Sequence, residues 1–292
     1  MIAKAQTPTI QTPQQSLFGI TIDALSMPQA VAQLRQWIQQ PTKTGCRFVV
    51  TPNVDHTVLL RENAGLRDAY EYADMVLADG FPIVWASRLL GRPLPERVPG
   101  SELVPQLFEA WDNAQHDTSG NTLSAGATPM NADPKKLRVF LLGADVGVGF
   151  RAAMRMKQKW PMVETVGVYS PPLGFEKDDD ESNYILGRIA LSRPDVVIVG
   201  LGAPKQELWV NQYREQIPAK VALCVGATID FLAGEKKRAP RWMQQVGLEW
   251  FHRMCSEPRR LVKRYAKDAW IFPQLVWENY RQNRFKSAKN CG

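Results

Sequence analysis

Three apolar runs in this sequence end in polar residues that could do chemistry. VVTPN (49–53) ends in Thr51 and Asn53, MVLADG (75–80) presents the carboxylate of Asp79, and VVIVGLGAPKQE (196–207) carries Gln206. A strand that closes on Asp-Gly and feeds a helix either needs a hydrogen-bonding turn residue or presents a reactive group. In an open α/β sheet, ligands bind outside the carboxyl ends of the strands, so residues placed there converge on one cleft. Singly, Thr51, Asn53, Asp79 and Gln206 are each as consistent with a turn or a helix cap; jointly they argue for a site.

Such convergence needs a parallel sheet, and the pattern around these residues predicts one. Short apolar runs alternate with longer amphipathic ones, the signature of an α/β domain: a Rossmann-like, mainly parallel sheet with helices on both faces. LFGITID (17–23), CRFVVTPN (46–53), MVLADG, LRVFLLG (137–143), VETVGVYS, DVVIVGLG (195–202) and VALCVG read as strands. Helices are expected at 28–40, through VDHTVLLREN and LRDAYEYA, at 82–90, and at 101–114, where Ser101 can cap. Residues 1–16 have no apolar block and read as a disordered leader. The stretch 116–136, rich in Ser, Thr, Gly, Asn and Pro, reads as a flexible insertion in a core spanning 17–234. From 235 to 292 the pattern is helical only, a basic C-terminal appendage.

The net charge of +7 is concentrated in that appendage. From Glu235 onward there are 14 Lys or Arg against five acids, a surplus of nine that leaves −2 for the chain before it. Trp242, Trp250, Phe251, Trp270, Phe272, Trp277 and Phe285 are interleaved with these cations. That composition suits a bilayer interface, where aromatic rings sit at headgroup depth and cations meet anionic lipid. It also suits a solvated basic helix packed by its aromatic face. No apolar stretch approaches the roughly 20 residues of a membrane-spanning helix. The four cysteines, Cys46, Cys224, Cys255 and Cys291, form no CxxC pair, which argues for reduced thiols in a cytoplasmic protein and against a zinc site.

Other features have plainer readings beside their chemical ones. Gly143, Gly147 and Gly149 follow a strand and open a helix, so their N–H groups could face a phosphate. Their G-x-x-x-G-x-G spacing fits neither the dinucleotide fingerprint nor the Walker loop, and a sharp turn explains them as well. The run Asp178, Asp179, Asp180, Glu181 could hold a divalent cation, but it precedes a helix whose N-terminus favours acids in any case. His56, His116 and His252 share no ligand spacing and read as structural or exposed.

The series VVTPN, LADG, PERVPGSEL, VFLLGA, VVIVGLGAPKQE, CVGATIDFLAG, KRAPRWMQQVGLEWFHR and EPRRLVKRY resembles bacterial glycosyltransferase family 26, in the same order from about residue 17 to about 270. The resemblance implies an inverting transferase that moves a sugar from a UDP-sugar donor to a polyprenyl-diphosphate-linked saccharide. It would act peripherally, at the inner face of the cell membrane. It makes Asp79 the expected base for the acceptor hydroxyl, Thr51 and Asn53 the residues bonding sugar or acceptor hydroxyls, and Gln206 the one orienting the donor sugar. Arg97, in PERVPG, becomes the cleft's cation for a phosphate or acidic sugar. A pair with Glu96 or Glu102 is its alternative. Arg253, Arg260 and Arg264 lie at or near family positions proposed to meet the diphosphate. No secure metal site is apparent and no cofactor is expected, so cations and N–H groups would stabilise the leaving diphosphate.

Two rival classes are weaker. A nucleic-acid-binding protein would use the basic aromatic tail but leave the strand-end residues without a role. A nucleotide-dependent oxidoreductase lacks its G-x-G-x-x-G. The apolar helices of the first half offer a face for self-association as a homo-oligomer.

Overall fold

A computed structural model describes residues 13–40, 45–120, 135–236, 239–240, 242–243, 248–256 and 258–289. The chain opens with an antiparallel hairpin, β1 (Gln14–Leu17) and β2 (Ile20–Asp23). The expected single strand over 17–23 is thus broken at Phe18 and Gly19, both at positive φ (55° and 80°). That is the geometry of a two-residue hairpin turn, whose twist matches its strands. β1 also begins inside the segment read as a disordered leader, whose residues 1–12 lie outside the described residues.

Six parallel strands follow: β3 (Arg47–Val50), β4 (Met75–Val76), β5 (Leu137–Gly143), β6 (Val163–Tyr169), β7 (Val196–Gly200) and β8 (Val221–Cys224), in the order β4-β3-β8-β7-β5-β6. Period-2 alternation divides the core in two. Phe48, Val50, Phe140, Leu142, Val197 and Val199 point to one face. Val49, Val139, Leu141, Val196, Ile198 and Leu223 point to the other.

On the first face pack α2 (Val54–Glu62), α3 (Ala64–Tyr72), α4 (Phe81–Leu89), α7 (Asp179–Ser192) and α8 (Lys205–Tyr213), which contribute Val58, Tyr70, Ile83, Ile185 and Trp209. On the second pack α1 (Met27–Gln39), α5 (Gly100–Gly120), α6 (Val148–Lys159) and α9 (Thr228–Ala233), with Leu34, Phe108, Met156 and Ile229. The mainly parallel sheet with helices on both faces is therefore observed. One boundary differs: α5 runs to Gly120, so helix enters the segment expected to be a flexible insertion from 116, and residues 121–134 lie outside the described residues.

The C-terminal region is helical: α10 (Glu249–Ser256) and the long α11 (Pro258–Lys289). It packs on the core. Leu275 is buried in the first cluster, the Phe272 ring meets Phe18 at 5.4 Å, and the Phe18 N–H donates to Asn279 Oδ1 at 3.1 Å.

Candidate active site

Thr51 and Asn53 follow β3, Asp79 follows β4, and Gln206 opens α8 just after β7. These strands, with β8 between β3 and β7, are neighbours in the sheet. Three strand spacings separate the outer pair, about 14 Å. Hydrogen bonds tie the ends together. The Asp79 N–H donates to the Pro52 carbonyl at 2.8 Å, the Thr51 hydroxyl to the Cys224 carbonyl at 3.4 Å, and the Gly226 N–H to Gln206 Oε1 at 3.2 Å. Gly80, at φ +119°, turns the chain from the β4 end into α4, which a side-chain-bearing residue would do only under strain. Asp79 is half-buried, Thr51 buried, and Asn53 half-buried as the cap of α2, where its Oδ1 accepts from the His56 N–H at 3.3 Å.

Beneath these residues lies a buried polar cluster that sequence reasoning missed. Glu207 is fully enclosed, and its Oε1 accepts from Gln206 Nε2 at 2.7 Å. His56 Nε2 stands 3.8 Å from the same oxygen, while its Nδ1 accepts from the Asn53 N–H at 3.2 Å. Among the described residues, Glu207 Oε2 and the Tyr70 hydroxyl are buried without hydrogen-bond partners. Burial pushes the Glu207 carboxyl up to about 7. Burial, reinforced by the Arg264 charge, pushes His56 down to about 3. The His56–Glu207 contact is therefore one between a neutral imidazole and a carboxyl that holds its proton to near neutrality. The cluster links the backbone of Asn53 to the side chain of Gln206. A signal for it existed: Gln206, Glu207, Trp209, Val210 and Tyr213 lie at helical spacing on one buried face of α8, which puts a charge where an apolar residue belongs.

Arg97 is brought to the β4 end by the Val98 N–H, which donates to the Ala78 carbonyl at 2.7 Å. Its guanidinium pairs with Glu102 at 3.0 Å and Glu249 at 3.1 Å and lies 5.2 Å over the Phe81 ring. The Glu102 pairing considered from sequence is present, whereas Glu96 accepts from the Met27 N–H at 2.6 Å. Through Glu249, Arg97 joins α10 to the sheet. Arg264 pairs with Asp55 in the first turn of α2 at 2.6 Å. The backbones of Arg253 and Arg260 lie in α10 and α11, and their side chains lie outside the described residues.

The glycine-rich turn has a packing explanation. A Cβ on Gly143 would stand 2.5 Å from the Gly200 carbonyl oxygen, and one on Gly149 would stand 2.4 Å from the Val168 side chain. The acidic run is a helix N-terminus: Asp178 Oδ1 accepts from the Glu181 N–H at 3.1 Å, Asp179 from the Tyr213 hydroxyl and Glu181 from the Tyr169 hydroxyl. Among the described residues no group of three or more His, Cys, Asp or Glu gathers as a metal site.

The chain matches the glycosyl transferase WecG/TagA/CpsF family over residues 15–132 and 127–286. It is 33% identical over 213 residues to an N-acetylglucosaminyldiphosphoundecaprenol N-acetyl-beta-D-mannosaminyltransferase of Bacillus spizizenii, which covers 73% of this chain and 72% of that protein. A Staphylococcus aureus protein of the same name is 28% identical over 250 residues, 86% of this chain and 87% of that protein.

Proposed function

Because the chain belongs to the glycosyl transferase WecG/TagA/CpsF family, we propose that it moves a sugar from a UDP-sugar, with inversion, to a hydroxyl of a polyprenyl-diphosphate-linked saccharide. The observation that carries this reading is the set Thr51, Asn53, Asp79 and Gln206 at the carboxyl ends of neighbouring parallel strands. The relatives' names make N-acetylmannosamine the first donor sugar to consider and an N-acetylglucosaminyl diphosphoundecaprenol the first acceptor.

Inversion is a single in-line displacement. The acceptor hydroxyl oxygen bonds to the donor's anomeric carbon as the bond from that carbon to the diphosphate breaks, and the hydroxyl proton passes to a base. Asp79 is half-buried at a strand end and suits that base. Asn53, at the adjacent β3 end, is its neighbouring sugar-hydroxyl partner, and Gln206, buried three strand spacings away at the β7 end, orients the donor sugar; His56 and Glu207 hold the two from beneath. In the second half the strand order β6-β5-β7-β8 reverses between β5 and β7, the place where α/β sheets receive nucleotides. A donor seated there extends its sugar past the ends of β7, β8 and β3 toward Asp79 at the β4 edge. The departing diphosphate draws its counter-charge from backbone N–H groups and from the arginines of α10 and α11.

The enzyme meets its lipid-linked acceptor as a peripheral protein in this reading. Among the described residues no helix is long and apolar enough to cross a membrane. On α11, Trp270 and Trp277 are 75% and 61% exposed one heptad apart, in line with exposed Arg259, Lys263 and Arg281. This basic aromatic stripe suits an anionic bilayer surface. The nucleic-acid alternative accounts for the stripe alone. A donor screen tests the proposal: a lipid-diphosphate N-acetylglucosamine acceptor is incubated with a panel of UDP-sugars. UDP release that needs both substrates is the expected result; none with any sugar contradicts it.

A further inference from the structure

Helix α4 has an unusual outward face. Its buried side carries Ile83, Val84, Ala86 and Ser87, as an amphipathic helix requires. Its exposed positions are Phe81, Trp85, Arg88 and Leu89, with Phe81 37%, Trp85 75% and Leu89 64% accessible. A solvated helix shows polar residues outward; this one shows three large apolar side chains and one cation, and no acid. The apolar residues fall at i, i+4 and i+8, a single stripe about 12 Å long at 1.5 Å per residue. Large apolar side chains grouped in this way mark interaction surfaces rather than ordinary solvent-facing ones.

The stripe begins at the candidate site. Phe81 is two residues from Asp79, and its ring lies under the Arg97 guanidinium. Trp85, Arg88 and Leu89 lead away from it along the helix. A ligand following this face would meet the base first, then the Phe81 ring, then the exposed turn in which Arg88 lies between Trp85 and Leu89. Taken as a set, these groups fit a molecule with a hydroxyl-bearing sugar, an anionic linker and a hydrocarbon chain.

We propose that the outward face of α4 binds the lipid-linked acceptor beyond its sugar, with Arg88 facing the diphosphate and Trp85 and Leu89 receiving the first isoprene units. The inference rests on the acceptor class proposed above and adds where its chain lies. A sugar nucleotide has no hydrocarbon for this surface. The basic stripe on α11 already supplies a contact for the bilayer as a whole. The α4 face thus selects for the chain, so recognition of the acceptor extends beyond its sugar and diphosphate.

Two measurements test it on the full-length protein. The first is direct: an isoprenoid diphosphate carrying a photoreactive diazirine in its first isoprene units is irradiated with the enzyme, and the labelled peptide is identified. Label on 81–92 is expected; label confined to other segments overturns the proposal. The second compares KM for an undecaprenyl-linked acceptor with KM for a short, water-soluble alkyl-diphosphate analogue. Wild type should favour the long chain, and W85A/L89A should lose about tenfold of that preference, as expected when two apolar contacts are removed. An unchanged preference overturns the proposal. So does a variant that binds empty vesicles more weakly in proportion, which makes α4 a bilayer anchor. A concentration-dependent dimer broken by W85A also overturns it, by assigning the face to a second copy. Labelling needs no turnover, so absence of transfer with α4 still labelled would sink the transferase reading and leave the chain site standing.

Discussion

Arg264 on α11 holds Asp55 on α2 at 2.6 Å, two residues beyond Asn53 of the candidate site. The C-terminal helix is thus anchored at the rim of the candidate site, and an arginine expected to meet the diphosphate already has a carboxylate partner. Burial pushes the Asp55 carboxyl up, and Arg264 opposes that shift.

Arg264→Ala and Asp55→Asn should each lower stability, and their effects should be non-additive. The arginine is 37% exposed, so solvent screening limits the coupling to about 1 kcal/mol. A double-mutant cycle in urea measures it. Additive effects would mean that the pair does not hold α11.

Glu207 gives a pH-dependent expectation. Its folded value of about 7 lies above the 4.5 of the free group, so the fold binds this proton more tightly than the unfolded chain does. Its contribution to stability is complete below pH 4.5 and is lost as pH rises through 7. His56, lowered to about 3, has the opposite slope, since its neutral form is favoured and stability falls as pH drops below 6.5. The difference between wild type and Glu207→Gln isolates the carboxyl. The variant should gain on wild type by on the order of 3 kcal/mol at most between pH 5 and pH 8. A pH-independent difference in denaturant midpoints would refute the assignment.

Two glycines with the same backbone sign should respond differently. Gly143→Ala puts a Cβ 2.5 Å from the Gly200 oxygen at φ +111°, whereas Gly202, at φ +79°, has open space around it. Gly202→Ala should cost about 1–2 kcal/mol from left-handed strain alone. Gly143→Ala should cost clearly more, because backbone must also move. Thermal unfolding of the two variants decides, and equal costs would remove the close β5–β7 approach as the reason for the glycine.

Removing Trp270 and Trp277 should weaken binding to anionic vesicles while leaving the melting temperature nearly unchanged, since both rings are exposed. Point variants are the right test here. Deleting 235–292 outright would also strip Leu275 and Phe272 from the core. Vesicle co-sedimentation that matches wild type would contradict a membrane role for this stripe.

Much of this was legible in the residues. The apolar runs gave the parallel strands because both faces of the sheet are covered, and the strand-end positions of Thr51, Asn53, Asp79 and Gln206 followed from that. The hairpin at Phe18 and Gly19 was not legible, because a phenylalanine at positive φ carries no turn signal. His56 is buried and structural, one of the two readings the sequence allowed, but Glu207 and its contact with His56 were not legible for another reason. Their roles come from meeting across α8 and α2, at positions about 150 residues apart in sequence, and local spacing does not encode that contact. Arg97 reads in the sequence as the cleft's cation or as a partner of Glu96 or Glu102; Glu102 does pair with it, and Glu249 reaches it from the distant α10.

The role proposed for Asp79 is to take the proton of the acceptor hydroxyl. The most direct measurement is transfer by Asp79→Asn with the best UDP-sugar and a lipid-diphosphate acceptor, alongside UDP affinity by calorimetry. Turnover should fall by a factor of about 100 or more, with UDP binding retained. Near-normal turnover in the variant would contradict it.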